Sequence, residues 1–181
     1  MNLPNKLTVL RMIMVPVMVV FLMLEPSMGK AADIVALVIF CAASFTDYLD
    51  GQIARSRNLI TDFGKFMDPL ADKLLVGAAA ICLVELGRLP AWVVVILIGR
   101  EFVISGFRLI AVDKGIVIAA NMWGKVKTVF QMAMTIALLI HLDAAWFRAL
   151  ENVLIVASVA LTLISLGTYI YQNRQVLSGD M

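Results

Sequence analysis

Hydrophobic residues in this chain run almost unbroken for long distances, with few charges inside most of the runs. Apolar stretches lie near residues 8 to 24, 32 to 54, 72 to 87, 90 to 112, 128 to 142 and 147 to 171. Each is read as a crossing of about 30 Å of hydrocarbon, the shorter runs with their flanking residues. The pattern predicts an all-α, polytopic integral membrane protein with six transmembrane helices. The connections are short and no repeat or low-complexity segment interrupts them, so residues 1–181 read as a single membrane domain. No small-residue cleavage site follows the first run, which is therefore expected to be a retained span and not a removed signal peptide.

Composition supports the bilayer and excludes a soluble globular class, since 62% of residues are hydrophobic and only 15% charged, against roughly half apolar in soluble domains. Mean hydropathy is +0.95. Cys41 and Cys82 both fall inside apolar runs, where neither a disulfide nor a zinc site is suggested. The basic residues then orient the chain. With a cytosolic N-terminus, Lys6, Arg11, Arg55, Arg57, Lys65, Lys73, Arg100, Arg108, Lys114, Lys125, Lys127 and Arg174 lie inside, and only Lys30, Arg88 and Arg148 outside. That bias places both termini in the cytosol. Trp92 and Trp146 then fall near the outer interface and Trp123 near the inner one. His141, the single histidine, lies at the outer end of the fifth run, away from the charged inner side. No nucleic-acid partner is expected.

One segment breaks the apolar pattern: DYLDGQIARSRNLITDFGKFMDPLADK, residues 47 to 73, holds five aspartates. Asp47 and Asp50 are three apart and Asp68 and Asp72 four apart, so on helices each pair shares a face. An aspartate at the centre of a membrane helix costs about 2.5 to 3.5 kcal/mol, and clustered like charges add to that. Some cation should neutralise them. Lys or Arg could do so, but four oxygen-donor carboxylates suit hard divalent ions such as Mg²⁺ or Mn²⁺, two of which would balance the charge. Paired ions of this kind serve phosphoryl chemistry. Gly51 and Ala54 remove side-chain bulk beside the first pair, and Arg55 offers a fork for phosphate oxygens. Thr61 and Gly64 are read as part of the connection between the helices, with Pro69 at the first position of the third helix.

Asp47, Asp50, Gly51, Ala54, Arg55, Gly64, Asp68 and Asp72 match the pattern D-x-x-D-G-x-x-A-R-x8-G-x3-D-x3-D at every fixed position. In this the chain resembles the CDP-alcohol phosphotransferases. The resemblance implies a six-helix membrane fold, a homodimer, and a site open to the cytosolic leaflet. It further implies that Asp47, Asp50 and Asp68 hold two metal ions with Asp72 nearby, and that Asp72 is the general base. Gly51, Arg55 and Thr61 would contact the cytidine diphosphate portion.

The acceptor side is read from the segment between Gly99 and Met132, where Arg100-Glu101, Arg108 and Gly124-Lys125-x-Lys127-Thr128 resemble the corresponding half of bacterial phosphatidylglycerophosphate synthases. The opening PNKLTVLR is similar to theirs as well, with Asn5, Thr8 and Arg11 able to face the nucleotide. The resemblance implies a transferase in the bacterial plasma membrane that joins CDP-diacylglycerol to sn-glycerol 3-phosphate. Arg100, Arg108, Lys125 and Lys127 would then take the acceptor's phosphate, although anionic lipid headgroups would also draw these cations. Glu101 adjoins Arg100 and could position an arginine without touching substrate. Rival readings are a sister synthase with another alcohol acceptor, an intramembrane prenyltransferase, and a transporter. The last is disfavoured because the charges gather at one end, with no matching polar track in the outer half.

Overall fold

The computed structural model describes residues 2–56, 61–116, 118 and 122–176; the side chains of residues 54–56, 62 and 65 lie outside the description. Among the described residues all regular structure is helical: α1 (Leu3–Met23), α2 (Glu25–Met28), α3 (Lys30–Ser56), α4 (Asp62–Glu85), α5 (Ala91–Asp113), α6 (Met122–Ile140), α7 (Ala145–Gln172) and a closing 3-10 turn (Arg174–Val176). Six long helices thus occupy the six predicted runs. Three of them, Leu3–Met23, Lys30–Ile53 and Ala145–Gln172, are long and apolar enough by length and composition to cross a membrane. The helices between α3 and α7 carry charge within their length, including Asp68 and Asp72 on α4, Arg100, Glu101 and Arg108 on α5, and Lys125 and Lys127 on α6.

Local signals set the helix ends. At the start of α1 the Asn2 side chain accepts a hydrogen bond from Asn5 N at 3.1 Å, and Pro4 falls in the first turn, where a missing N–H costs nothing. Gly29, between α2 and α3, has φ of 60°, a conformation that a side chain would strain. The beginning of α4 corrects the sequence reading. Thr61 caps this helix, its Oγ1 accepting from Gly64 N at 3.1 Å, so α4 starts at Asp62 and Gly64 belongs to its first turn. Pro69 lies inside the helix and not at its start. The cap, eight residues before Pro69, satisfies the Gly64 amide, and Pro69 removes only the one bond its own N–H would have made.

The chain forms two compact units. In the first, Met1–Leu89 with Leu138–Ile140, α1 packs against α3 and α4. The buried stripe of α1 is Pro4, Asn5, Thr8, Arg11, Val15, Met18 and Leu22, polar in its first half and apolar in its second. The facing stripe of α3 runs the other way: Ala32, Ala36, Phe40 and Ala43 are fully buried, and Asp47 and Asp50 continue the same face. Small alanines let two helix backbones approach closely. The polar ends of the two stripes meet.

The second unit, Pro90–Ala137 with His141–Met181, is built on the packing of α5 against α7. Ile104, Phe107, Ala111 and Tyr169 form its core cluster, with Ile118 and Leu166 against it. The rings of Phe107 and Tyr169 meet edge to face, 5.8 Å between centroids.

Candidate active site

In the first unit the aspartates are gathered round α1. Arg11 is completely buried, and its guanidinium spans the i, i+3 pair of α3: Nη1 lies 2.7 Å from Asp47 Oδ1 and Nη2 donates to Asp50 Oδ2 at 2.5 Å. Its Nε donates to the carbonyl of Ala43 at 3.3 Å, one turn earlier on the same helix. Thr8 Oγ1 donates to Asp68 Oδ1 at 2.6 Å, so one turn of α1 reaches both α3 and α4. Asp68 is near enough to Asp47 and Asp50 to repel both. Asp72, half-buried, follows one turn further along α4.

Asn5 and Thr61 close the same end. Thr61 Oγ1 donates to Asn5 Oδ1 at 2.9 Å while it caps α4. Gly64 sits where these groups converge, and a Cβ there would stand 3.3 Å from Thr61 Oγ1 and 3.5 Å from both Asn5 Oδ1 and Asp68 Oδ2. A side chain would press on the cap and on a carboxylate together, which is the local reason for glycine. Gly51 follows Asp50 directly on α3. The side chains of Ala54 and Arg55 lie outside the described residues.

These carboxylates fit a hard divalent ion in donor chemistry, since all are oxygen ligands and the α3 pair is already disposed about a positive centre, the Arg11 guanidinium. Among the described residues no three His, Cys, Asp or Glu side chains close on one metal-sized point.

The second unit carries the other predicted group. Glu101 Oε1 accepts from Arg100 Nη1 and from Lys127 Nζ, each at 2.8 Å, so this carboxylate is shared by its neighbour on α5 and by a buried lysine of α6. Arg100 Nε donates to Ser165 Oγ of α7 at 3.2 Å. A Cβ on Gly124 would lie 3.2 Å from Arg100 Nη2, so the glycine leaves the slot that this guanidinium fills. Arg108 differs from the Arg100 group in being exposed. Its Nε donates to Tyr169 Oη at 3.3 Å, and its guanidinium carbon stands 5.9 Å from the centre of the Tyr169 ring. Lys125 is exposed on the first turn of α6.

Sequence reasoning missed the partners. Ser165 and Tyr169 continue a buried α7 stripe with Glu151, Ser158 and Thr162. Polar residues three and four apart in an otherwise apolar helix were the signal that could have found them. Arg88 was also missed, counted only as an outer charge. It holds both oxygens of Asp33 at 2.9 Å each, Glu25 Oε1 at 2.8 Å and the carbonyl of Leu138 at 3.3 Å. This cluster lies at the opposite end of α3 from Asp47 and Asp50. His141, near the start of α7, places Nδ1 3.2 Å from Glu151 Oε1.

Residues 1–164 match the family model described as CDP-alcohol phosphatidyltransferase. The chain is 44% identical over 149 residues to the CDP-diacylglycerol–glycerol-3-phosphate 3-phosphatidyltransferase of Bacillus subtilis (strain 168), covering 77% of each chain. It is 39% identical over 178 residues to a probable phosphatidylglycerophosphate synthase of Mycobacterium tuberculosis (strain ATCC 25618 / H37Rv), covering 98% of this chain and 84% of that one. A CDP-diacylglycerol–glycerol-3-phosphate 3-phosphatidyltransferase of Rickettsia typhi (strain ATCC VR-144 / Wilmington) is 37% identical over 131 residues, 72% of each chain.

Proposed function

This chain belongs to the CDP-alcohol phosphatidyltransferase family, and from that premise we propose that it moves the phosphatidyl group of CDP-diacylglycerol onto sn-glycerol 3-phosphate, releasing CMP and leaving phosphatidylglycerophosphate. The observation that carries this reading is likeness along 98% of the chain to a relative named for that product. The complete aspartate pattern supports it, with Asp47 and Asp50 of α3 held by Arg11 and Asp68 of α4 held by Thr8.

The donor's diphosphate is taken at the first unit. Gly51, Ala54, Arg55, Thr61 and Gly64 lie along the same motif, with no side chain on Gly51 to hold the donor off the backbone. Thr8 and Arg11 fix the carboxylates, Asn5 holds Thr61, and all three border the nucleotide. Asp47, Asp50, Asp68 and Asp72 hold the divalent cations that the family generally uses, here Mg²⁺ or Mn²⁺ and two in number. When bound, such ions neutralise charge on the diphosphate and on departing CMP. Asp72 accepts the proton of the acceptor's C1 hydroxyl, the oxygen attacks the lipid-proximal phosphorus, and the bond to CMP breaks. Arg100, Arg108, Lys125 and Lys127 surround the acceptor's phosphate with positive charge, while Glu101 holds Arg100 and Lys127 in place. Positioning and electrostatics supply most of the rate. The molecule works as a homodimer of single six-span domains in the bacterial plasma membrane, with both termini and the site on the cytosolic side.

The test is CMP release from CDP-diacylglycerol by purified protein with Mg²⁺, comparing sn-glycerol 3-phosphate with serine, inositol 1-phosphate and glycerol. Release only with glycerol 3-phosphate is expected. Release with a different alcohol keeps the aspartate chemistry and overturns the acceptor, and no metal-dependent release with any alcohol overturns the whole reading.

A further inference from the structure

The cations that surround the proposed acceptor site are not equivalent. Lys127 is 3% exposed and, together with Arg100, bonded to Glu101, so one carboxylate already answers two positive charges. Arg108 is exposed, and Tyr169 gives it both a hydrogen-bond acceptor and a ring. That tyrosine is 2% exposed, wedged edge-on against Phe107 and fixed in the core formed by α5 and α7. It offers Arg108 two contacts at once: the hydroxyl receives Nε, and the ring lies beneath the guanidinium. A fork gripped at Nε keeps its two terminal nitrogens in a fixed plane, the geometry that meets two oxygens of a phosphate.

We infer that Tyr169 is a positioning residue for the acceptor: its hydroxyl and ring aim the Arg108 fork at the phosphomonoester of the incoming alcohol. The inference rests on the function proposed above and assigns a role to a residue outside the aspartate motif. An aromatic–cation contact and a hydrogen bond to a charged group are each worth enough to change the orientation of an exposed arginine.

The experiment is a two-by-two set of purified proteins: wild type, Tyr169→Phe, Arg108→Lys and the double variant. CMP release is followed while sn-glycerol 3-phosphate and CDP-diacylglycerol are varied separately. Phenylalanine keeps the ring packed on Phe107, and lysine keeps the charge but has no Nε to give, so the variants separate aim from fold and from net charge. Tyr169→Phe is expected to raise the acceptor KM about tenfold, with kcat, donor KM and melting temperature little changed. In the Arg108→Lys background the same substitution should change nothing, because the bond it removes is already gone.

Equal effects of Tyr169→Phe in both backgrounds overturn the inference, as does a fall in kcat or a rise in donor KM in place of the acceptor effect. A change only in the dependence on added anionic lipid, with acceptor KM unmoved, gives the fork to a lipid headgroup and overturns it too. Wild-type protein that releases no CMP with glycerol 3-phosphate removes the function reading, an outcome distinct from an active enzyme in which Tyr169 and Arg108 act independently.

Discussion

A buried guanidinium bound to two carboxylates is stable only while all partners are present, since removing one leaves uncompensated charge in a low-dielectric setting. Arg11 is such a group, and Arg11→Ala is expected to destabilise the protein by about 3 kcal/mol. Added Mg²⁺ should restore part of that loss and raise the melting temperature of the variant more than that of wild type. An equal rise in both would mean that the guanidinium and the ion do not share Asp47 and Asp50. Asp72→Asn, by contrast, should abolish turnover and largely preserve CDP-diacylglycerol binding; full activity in that variant would sink its assignment as base. At this scale the aspartates were legible, because three- and four-residue spacings on helices are local geometry. Their partner was not. Arg11 and Asp50 are 39 residues apart, and nothing along the chain says which helix of several will face α3.

The limits of α4 show how one element was misread. Pro69 looked like a helix start because proline is favoured at the first position. The stronger signal was Thr61, whose side chain can satisfy an orphan amide and whose hydroxyl proton goes to Asn5. Thr61→Ala is expected to cost about 1 kcal/mol from the lost cap, seen as a lower melting temperature, and to loosen the tie between α1 and α4. Unchanged stability would return the helix start to Pro69. The aromatic and hydroxyl partners on α7 were unread for a related reason: the run from 147 to 171 has the composition of a plain membrane span, and its polar stripe acquires meaning only when α5 lies against it.

For the whole molecule, the sequence pattern placed six long helices correctly, because hydrophobic length is an additive property of each run. Which way the chain crosses depends on charge bias, and it can be measured. In a Cys41→Ala, Cys82→Ala background, Lys114→Cys should react with an impermeant maleimide only after the membrane is opened, and Lys30→Cys should react in intact cells. The reverse labelling would invert the proposed topology. The polar half of α1 bears also on how the protein is made. Synthesis delivers α1 before α3, so when Asp47 and Asp50 reach the bilayer their counter-charge is already there. Two acidic side chains that would hinder the insertion of α3 alone thus give it a reason to settle beside its predecessor, and Asp47 and Asp50 become part of the assembly instructions.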